Sequence, residues 1–384
     1  MLFFSILFLR KLITSHVFFF FNLKDQDKWW LSGIYREVYI IRKPEIMICD
    51  YEIKNTITWN EYNQPVSAVI DVDVLVENYK LSDEFSSFDS DLASIEGCSI
   101  RAELYRVGSI ETPLQMVTVT CRHGGEFTTK ISADSLDFPK EKTDKFKNPG
   151  CFSLQLSLDS NNLALWSAEA PHLYIILITL HESSDDAFMA TKILDIEGQR
   201  FGIRQVDIDG AYNQLRLNKK PLLIAGVNRH EFDCYQGRSV DENNMRKDAL
   251  LMKQFNFNAV RCAHYPHHHR WLEICDAIGL MVIDEANIES HGFQTIGQAV
   301  GYLSNRKEWM GAHMSRIIRM YERDKNSTSV LIWSLGNESG VGKSHKMGYH
   351  WLKKRDVGRP VQYESGGAAS NVTDIICPMY HRPR

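Results

Sequence analysis

The chain has 384 residues, which is too long for one small domain and predicts two or three folded units. Hydrophobic residues make up 44% and charged residues 24%, which excludes a wholly disordered or fibrous protein. The net charge of −4 lacks the basic excess of a dedicated nucleic-acid binder. The eight cysteines form no Cys-x-x-Cys pair, which argues against a zinc ribbon and favours reduced thiols in an intracellular protein.

Residues 1–24 form an apolar leader that does not fit the usual targeting signals. Arg10 and Lys11 separate the apolar run 1–9 from a second apolar patch at 17–21. Charges near the centre of a membrane helix would cost about 3 kcal/mol each, and a signal peptide carries its positive charges before its apolar run. The pattern therefore argues against a signal peptide and against a membrane anchor in residues 1–23, and we expect a cytoplasmic protein.

The next part of the chain, residues 44–204, has the pattern of an antiparallel β-domain. Short runs of alternating apolar and polar residues recur, separated by turn residues, at 66–76, 99–107, 116–121 and 152–157. The serine- and aspartate-rich stretch 82–97 is typical of a long solvent loop. Strands of this length in series predict an immunoglobulin-like β-sandwich.

After about residue 205 the pattern changes to alternating strands and helices. Ser239 and Glu242 fit a capping box at the start of the first helix. Near-continuous apolar strands between helices indicate a parallel sheet, and polar residues just after the strands favour a (β/α)₈ TIM barrel, of which 205–384 would hold about six strands. The predicted strands are 222–227, 258–262, 280–283, 330–335, 360–363 and 375–379, and the predicted helices are 241–255, 272–278, 308–324 and 345–354.

Residues capable of catalysis follow these predicted strands. The carboxyl ends of barrel strands meet at one mouth, so we expect these side chains to converge although they are far apart in sequence. Glu338, directly after an apolar strand, could donate a proton to a leaving group, while its alternative role is a helix-capping or surface glutamate. The set is His230, His264, Glu289, His291, Asn337, Glu338 and Tyr380.

Glu289 and His291 have the spacing of a metal site. Two residues apart in an extended strand end, they point the same way, as two ligands of one metal must. Carboxylate oxygens suit magnesium, whereas histidine is a less usual ligand for it, so the spacing leaves the metal open.

Two further groups of residues are interpreted as structural. His267, His268 and His269 form a tempting metal cluster, but they lie in a loop at a helix start, and we interpret them as solvated surface. We expect Asp284 and Glu285 to pair with arginines such as Arg229 or Arg261.

The chain from about residue 25 onward resembles glycoside hydrolase family 2, in particular the large bacterial lac-type β-galactosidases. The order and spacing of several long motifs agree with that family. They are DQDKWWLSGIYREV at 25–38, PLLIAGVNRHE at 221–231, LLMKQFNFNAVRCAHYP at 250–266, VIDEANIESHG at 282–292, IWSLGNESG at 332–340, RPVQYESGGA from 359 and TDIICPMY from 373.

The resemblance implies a retaining β-galactosidase that acts on terminal β-D-galactose residues of lactose-like substrates. Glu338 is similar to the acid/base of the family, and Asn337 to the residue that contacts the sugar 2-hydroxyl. His230 and His264 resemble the two histidines that stabilise the transition state, and Tyr380 resembles the tyrosine beside the nucleophile.

The resemblance also implies cofactors. Glu289, His291 and Glu338 resemble the ligands of an active-site Mg²⁺. Asp27 resembles the aspartate that meets both galactose and a Na⁺ ion, although the remaining sodium ligands are absent from this sequence. The family pattern makes a homo-oligomer possible for the full-length protein, and the sequence leaves the oligomeric state open.

Two parts of the family pattern are missing from this sequence. The family nucleophile is a glutamate in a segment resembling Cys-Glu-Tyr-Ala-His, and no such segment exists here. Only residues 25–43 represent the N-terminal jelly-roll domain. The sequence therefore predicts an internal fragment of a longer enzyme that would be inactive alone, because retention needs a second carboxylate about 5–5.5 Å from the acid/base.

Three other functions remain open from the sequence. The chain could be a non-catalytic remnant, such as a sugar-binding or assembly module. A metal-dependent hydrolase of another substrate class would use Glu289, His291 and Glu338 directly. A β-glucuronidase is a sister possibility within the same family, against which the DQDKWW and PMY motifs favour the galactosidase branch.

Overall fold

The computed structural model describes residues 31, 33–78, 95, 98–120, 150–182, 192–295, 301–367 and 371–380. The predicted leader, Asp27 and nearly all of the predicted loop 82–97 lie outside these residues. The chain forms two compact units. One comprises Val38–Trp166 with His172–Arg204, and the other contains Ser167–Pro171, Gln205–Arg384 and the segment up to Glu37. No helix among the described residues is long and apolar enough to cross a membrane.

The first unit consists of two antiparallel sheets. The three-stranded sheet has the order β1-β2-β5, and the four-stranded sheet has the order β4-β3-β6-β7. The strands are β1 Ile46–Trp59, β2 Pro65–Asn78, β3 Ser99–Arg106, β4 Gln115–Thr120, β5 Cys151–Asp159, β6 Tyr174–His181 and β7 Ile193–Phe201.

Alternation of side chains builds the core of this unit. In β2, Ala68, Ile70, Val72 and Val74 are fully buried, while the residues between them are only partly buried. Apolar residues of both sheets join one hydrophobic cluster, so the two sheets pack face to face. This agrees with the predicted β-sandwich at the level of its two layers.

The second unit begins with a small antiparallel sheet that the sequence pattern did not separate. It consists of β8 Val206–Asp209, β9 Gln214–Leu217 and β10 Lys220–Pro221. Arg216 links two aspartates of β8, with Nε 2.6 Å from Asp207 and Nη1 2.6 Å from Asp209. The predicted strand 222–227 is therefore displaced, because the first parallel strand starts only at Gly226.

A five-stranded parallel sheet follows, with its strands in sequence order. Helices separate most of the strands, as predicted for β–α units. The strands are β11 Gly226–Arg229, β12 Ala259–Cys262, β13 Met281–Glu285, β14 Val330–Ser334 and β15 Val361–Gln362. The helices are α1 Glu242–Gln254, α2 His269–Ile278, α3 Gly292–Thr295, α4 Lys307–Asp324 and α5 Lys343–Arg355.

Burial on both faces identifies this sheet as the centre of its unit. All five residues of β14 are buried, which is typical of a parallel strand covered by helices. Strand and helix residues such as Val282, Trp333, Trp271 and Ile317 share one hydrophobic cluster. The predicted sixth strand, 375–379, is reduced to a single parallel bridge between Gln362 and Ile375.

The helix ends explain one correct and one wrong prediction. Gly279 ends α2 in the left-handed conformation at φ 79°, directly after the end predicted for helix 272–278. The capping box of Ser239 and Glu242 is wrong, because the N-cap of α1 is Asp241, whose side chain accepts from the backbone N–H of Asn244 at 2.8 Å. An aspartate one residue before the helix satisfies the same exposed N–H groups without a box.

Candidate active site

Glu338 lies in the loop after β14, where its carboxylate contacts three neighbours. The Tyr380 hydroxyl donates to Oε1 at 3.3 Å. Nδ1 of His291 lies 3.3 Å from Oε2, and Nδ2 of Asn337 lies 3.4 Å from the same oxygen. Glu338 is not a helix cap, because α5 begins only at Lys343. Tyr380 and His291, which are 42 and 47 positions from Glu338 in the sequence, thus meet at one carboxylate.

Asn337 connects the ends of β13 and β14. Its backbone N–H donates to the carbonyl of Ile288 at 2.9 Å, and it forms a parallel bridge with Glu289. Its side-chain Nδ2 donates to Oε1 of Glu289 at 3.1 Å. Asn337 and Glu289 are both buried. Because Nδ2 of Asn337 also contacts Glu338, one amide holds two carboxylates, Glu289 and Glu338, at the same edge of the sheet.

Glu285, at the end of β13, binds side chains from the two neighbouring strands. Arg261 of β12 donates to its Oε2 from Nε at 2.7 Å and to its Oε1 from Nη2 at 3.0 Å. Nδ1 of His264 lies 2.7 Å from Oε1, and the hydroxyl of Ser334 donates to Oε2 at 2.7 Å. Since a carboxylate paired with arginine only accepts, Nδ1 of His264 carries the proton of that contact. Nη2 of Arg261 also donates to Oδ1 of Asn337 at 2.9 Å.

The two predicted mouth histidines lie together. The rings of His230 and His264, which follow β11 and β12, meet edge to face with their centroids 5.3 Å apart. His264 connects through Glu285 and Arg261 to Asn337. The described residues of the predicted set therefore converge, as expected for residues that follow neighbouring parallel strands. Asp27 lies outside the described residues.

The loop that carries Glu338 is tightly packed against neighbouring strand ends. Gly336 has φ 133°, and a Cβ atom there would lie 2.6 Å from the carbonyl oxygen of Ile288, so the position needs glycine. The Tyr363 hydroxyl donates to the carbonyl of Gly340 at 2.9 Å and lies 3.3 Å from the backbone N of Ser339. Tyr363, which directly follows β15, is fully buried and holds this end of the loop.

Glu289, His291 and Glu338 supply a donor set suited to a cation. Asn337 holds both carboxylates, and the imidazole of His291 adjoins one of them. As the side chains stand in the described parts of the chain, no three His, Cys, Asp or Glu residues form a metal-holding group. The two carboxylates are chemically suited to a hard cation. Binding of a cation would require the three side chains to move closer together.

The interpretation of the histidine run as solvated surface is wrong for two of its members. His267 is fully buried, His268 is 7% exposed, and only His269 is exposed. His267 stacks on Tyr265 with ring centroids 5.2 Å apart, and burial lowers its pKa to about 3. The loop turns back against the sheet before α2 begins, which a pattern of three polar residues does not reveal.

The two adjacent acids of β13 have different partners. Glu285 pairs with Arg261 as predicted. Asp284 contacts Asp324 of α4 instead of pairing with Arg229 or Arg261, and Arg229 binds Asp248 at 3.0 Å. Burial, followed by the charge of Asp324 and a hydrogen bond to it, raises the pKa of Asp284 well above its ordinary value. Adjacent strand residues face opposite sides of a sheet, which separates the two acids.

Sequence reasoning missed three polar residues of this network. Gln362 donates from Nε2 to the Ser334 hydroxyl at 2.7 Å, which extends the network of Glu285 to β15. Glu364 accepts from the backbone N–H of Glu338 at 2.6 Å. The sequence did contain a signal for them. Ser334, Gln362 and Glu364 each lie at or just after a strand end, which is the position that selected the other candidate residues.

Comparison with known proteins identifies the family. Residues 207–383 match the family model described as "Glycosyl hydrolases family 2, TIM barrel domain". This segment of the chain belongs to glycosyl hydrolase family 2. The parallel sheet and the converging side chains lie within the matched domain, which confirms the predicted barrel type and the resemblance seen in the sequence motifs.

Two curated relatives of this chain are β-galactosidases. The chain is 40% identical over 360 residues to the β-galactosidase of Vibrio cholerae, which covers 94% of this chain and 30% of that protein. It is 38% identical over 363 residues to the β-galactosidase of Pectobacterium atrosepticum, again with 94% and 30% coverage. The chain thus spans about a third of the length of the curated relatives it matches.

Solved structures support the fold. A β-glucuronidase of Bifidobacterium dentium, bound to coumarin-3-O-glucuronide, is 22% identical with a TM-score of 0.60, and the match covers 87% of this chain and 46% of that one. At this identity the likeness concerns architecture. The chain thus shares its fold with this β-glucuronidase.

Proposed function

We propose that the protein carrying this chain hydrolyses terminal non-reducing β-D-galactose residues of lactose-like substrates by a retaining mechanism. The observation that carries the proposal is the carboxylate of Glu338, which lies among Tyr380, His291 and Asn337 at the carboxyl edge of the sheet. Identity of about 40% to β-galactosidases over nearly the whole chain supports galactose as the sugar.

Glu338 is the proposed acid/base. Its carboxyl proton passes to the glycosidic oxygen as the bond from that oxygen to the anomeric carbon breaks, and the leaving alcohol departs neutral. In the second step the carboxylate takes a proton from water, which attacks the anomeric carbon. With 13% of its side chain exposed, Glu338 can be reached by substrate yet is shielded from bulk water.

The neighbouring residues are proposed to bind the sugar. Asn337 is held by Arg261 and positions its amide beside Glu338, where a sugar 2-hydroxyl would bind. His230 and His264 form one edge of the site and could donate to sugar hydroxyls as positive charge develops on the ring. Tyr380 donates to the acid/base from a largely exposed position.

The test compares leaving groups in Glu338→Gln. Glutamine has the shape of glutamate but no acidic proton, so galactosides with poor leaving groups should lose about 10²–10⁴-fold in kcat/KM. Activated aryl galactosides, which need little protonation, should lose much less in the step that breaks the glycosidic bond. Steady-state kinetics of lactose and of a nitrophenyl β-galactoside measure both.

The matched control is Glu322→Gln, on α4, whose ion pairs with Lys325 and Arg355 are separate from the strand-end network. It should leave both substrates unaffected. Equal losses on both substrates in Glu338→Gln would contradict the acid/base role. A wild-type protein that turns over neither galactoside would instead favour a non-catalytic remnant or another glycoside as substrate.

We also propose that Glu289, His291 and Glu338 hold a Mg²⁺ ion. The support is the convergence of two carboxylates and an imidazole around Asn337. A bound ion would supply fixed positive charge beside the acid/base. The sodium site implied for Asp27 remains part of the same proposal, from sequence alone.

Removal of one ligand should weaken magnesium binding. Glu289→Gln replaces a buried anionic oxygen donor by a neutral amide, and His291→Phe removes a ring nitrogen. Each variant should raise the Kd for Mg²⁺ by about tenfold or more in titration calorimetry, as loss of one of few ligands predicts. Glu322→Gln should leave the Kd unchanged. Unaltered affinity in both ligand variants would place the metal elsewhere.

We further propose that the two-sheet unit is an immunoglobulin-like domain. Its division into sheets of three and four antiparallel strands supports this assignment. Its position before the barrel segment matches the order expected from the sequence.

A further inference from the structure

Glu364 contacts the main chain of the proposed acid/base. It follows β15, in the short helical turn Glu364–Gly366. Its Oε1 accepts from the backbone N–H of Glu338 at 2.6 Å and from the Ser365 hydroxyl at 2.8 Å. Carboxylate acceptors make shorter and stronger hydrogen bonds to backbone N–H groups than neutral acceptors do.

The backbone of Glu338 needs such a contact. Its φ is 38°, in the left-handed region that side chains other than glycine rarely adopt. A conformation of this kind costs free energy and persists only where the surroundings hold it. The residues after it are held by Tyr363, through Ser339 and Gly340. Glu364 contacts Glu338 itself. The two residues after β15, Tyr363 and Glu364, therefore hold three consecutive loop residues.

The surroundings of Glu364 do not explain it as an ordinary structural residue. Its side chain is mostly buried, and no ion pair to it is present among the described residues. Its second oxygen, Oε2, is buried without a hydrogen-bond partner in the described part of the chain. Burial of a carboxylate with one oxygen unpaired lowers the stability of the fold. The hydrogen bond to the backbone of Glu338 is the contact that accounts for a carboxylate at this position.

We propose that Glu364 is a positioning residue for the acid/base. It holds the main chain of Glu338 in the left-handed conformation, and thereby keeps the Glu338 carboxylate beside Tyr380 and His291. The kinetic part of this inference rests on the proposed glycosidase function. The conformational part concerns the loop alone.

The conformational test measures exchange of the Glu338 amide hydrogen. Glu364→Ala removes the acceptor, and Glu364→Gln retains an oxygen acceptor at the same place. In the full chain, hydrogen exchange with fragmentation to single residues should show the Glu338 amide exchanging about tenfold faster or more in Glu364→Ala, and close to the wild-type rate in Glu364→Gln. Glu322→Ala, which removes a carboxylate from α4, is the matched control.

The kinetic test uses the catalytically active protein that contains this segment. Glu364→Ala should lower kcat/KM for lactose about tenfold or more and kcat/KM for an activated aryl galactoside much less, because kcat/KM reports the step that breaks the glycosidic bond. Glu364→Gln should restore most of the loss. A residue needed only for folding would lower both activities alike, along with the melting temperature.

The two tests fail in different ways. An unchanged Glu338 amide in Glu364→Ala, or equally fast exchange in Glu364→Gln, would overturn the positioning role whether or not the protein is a galactosidase. Altered exchange with equal losses on both substrates would overturn the link to acid/base catalysis. Absence of turnover in the wild type would refute the proposed function and leave the exchange result to decide the conformational role.

Discussion

Glu285 has no exposed surface, yet its two oxygens bind donors from three residues. Arg261, His264 and Ser334 all contact it at 2.7–3.0 Å. Burial of a carboxylate is unfavourable unless hydrogen-bond donors replace the water that it loses, so Glu285 depends on these partners. One partner, Arg261, also holds Asn337, and another, His264, is one of the two mouth histidines. Glu285 therefore connects folding of the sheet to the shape of the candidate site.

Glu285→Gln should therefore be strongly destabilising. The amide removes the negative charge that pairs with Arg261, whose side chain is 15% exposed, and turns an NH₂ group toward donors, a loss of about 3 kcal/mol in the free energy of unfolding. Denaturant unfolding of the chain measures it. The control is Glu242→Gln, whose pairs with Arg246 and Arg270 are exposed and should contribute far less. Similar stability of the two variants would contradict the role given to Glu285.

At the scale of elements, strand β13 shows how alternation divides two adjacent acids. Glu285 faces the strand-end network, while Asp284 faces α4 and Asp324. Asp324 also accepts from Arg323 at 2.6 and 2.7 Å, and the raised pKa of Asp284 keeps a proton on the Asp284 carboxyl. The protonated Asp284 then donates to Asp324 and joins the strand to the helix.

This acid pair makes stability depend on pH. The folded-state pKa of Asp284 is raised, so above the ordinary aspartate pKa the folded chain holds a proton that the unfolded chain has released. The contribution of this pair to the free energy of unfolding is fully present below the ordinary aspartate pKa. It declines as the pH rises toward the folded-state pKa of Asp284.

Asp284→Asn removes this dependence. The asparagine amide can donate to Asp324 without a titrating proton. The free energy of unfolding of the variant, relative to wild type, should therefore increase as the pH rises, by up to about 1.4 kcal/mol per pH unit. Thermal unfolding from pH 5 to pH 8 measures the difference. Asp248→Asn, which alters a partly exposed carboxylate, serves as control. A constant difference between Asp284→Asn and wild type across this range would mean that Asp284 is ionised.

At the scale of the whole molecule, the described site contains the proposed acid/base but leaves the nucleophile unassigned. No segment of the sequence resembles the nucleophile segment of the family. Retaining hydrolysis requires a second carboxylate about 5–5.5 Å from the first. Glu364 is committed through Oε1 to the backbone of Glu338 and follows β15 rather than a later strand.

We therefore predict that a polypeptide of residues 22–384 does not turn over galactosides. Both edges of the parallel sheet also lack a neighbouring full strand in the described residues, which favours aggregation. An assay of an activated aryl β-galactoside with magnesium tests this. Turnover that survives purification and disappears in Glu338→Ala would show that this polypeptide carries its own nucleophile.

The sequence alone predicted the type of the second unit and which polar residues lie together at one edge of its sheet. Residues that follow parallel strands meet at the carboxyl edge, so Glu338, His264 and Glu289 were expected to lie together without any contact information. Their roles in catalysis and metal binding stay predictions. The limits 44–204 and 205–384, the oligomeric state and the cytoplasmic location stay predictions of the sequence.

Only the tertiary structure decided the partners of these residues. The contact of Glu364 with Glu338, the pairing of Asp284 with Asp324 and the burial of His267 each join segments that are tens of residues apart or depend on how a loop turns. Local periodicity determines which face a side chain occupies, whereas its partner depends on which element packs there. That choice is made by the whole core at once, so no single stretch of sequence contains it.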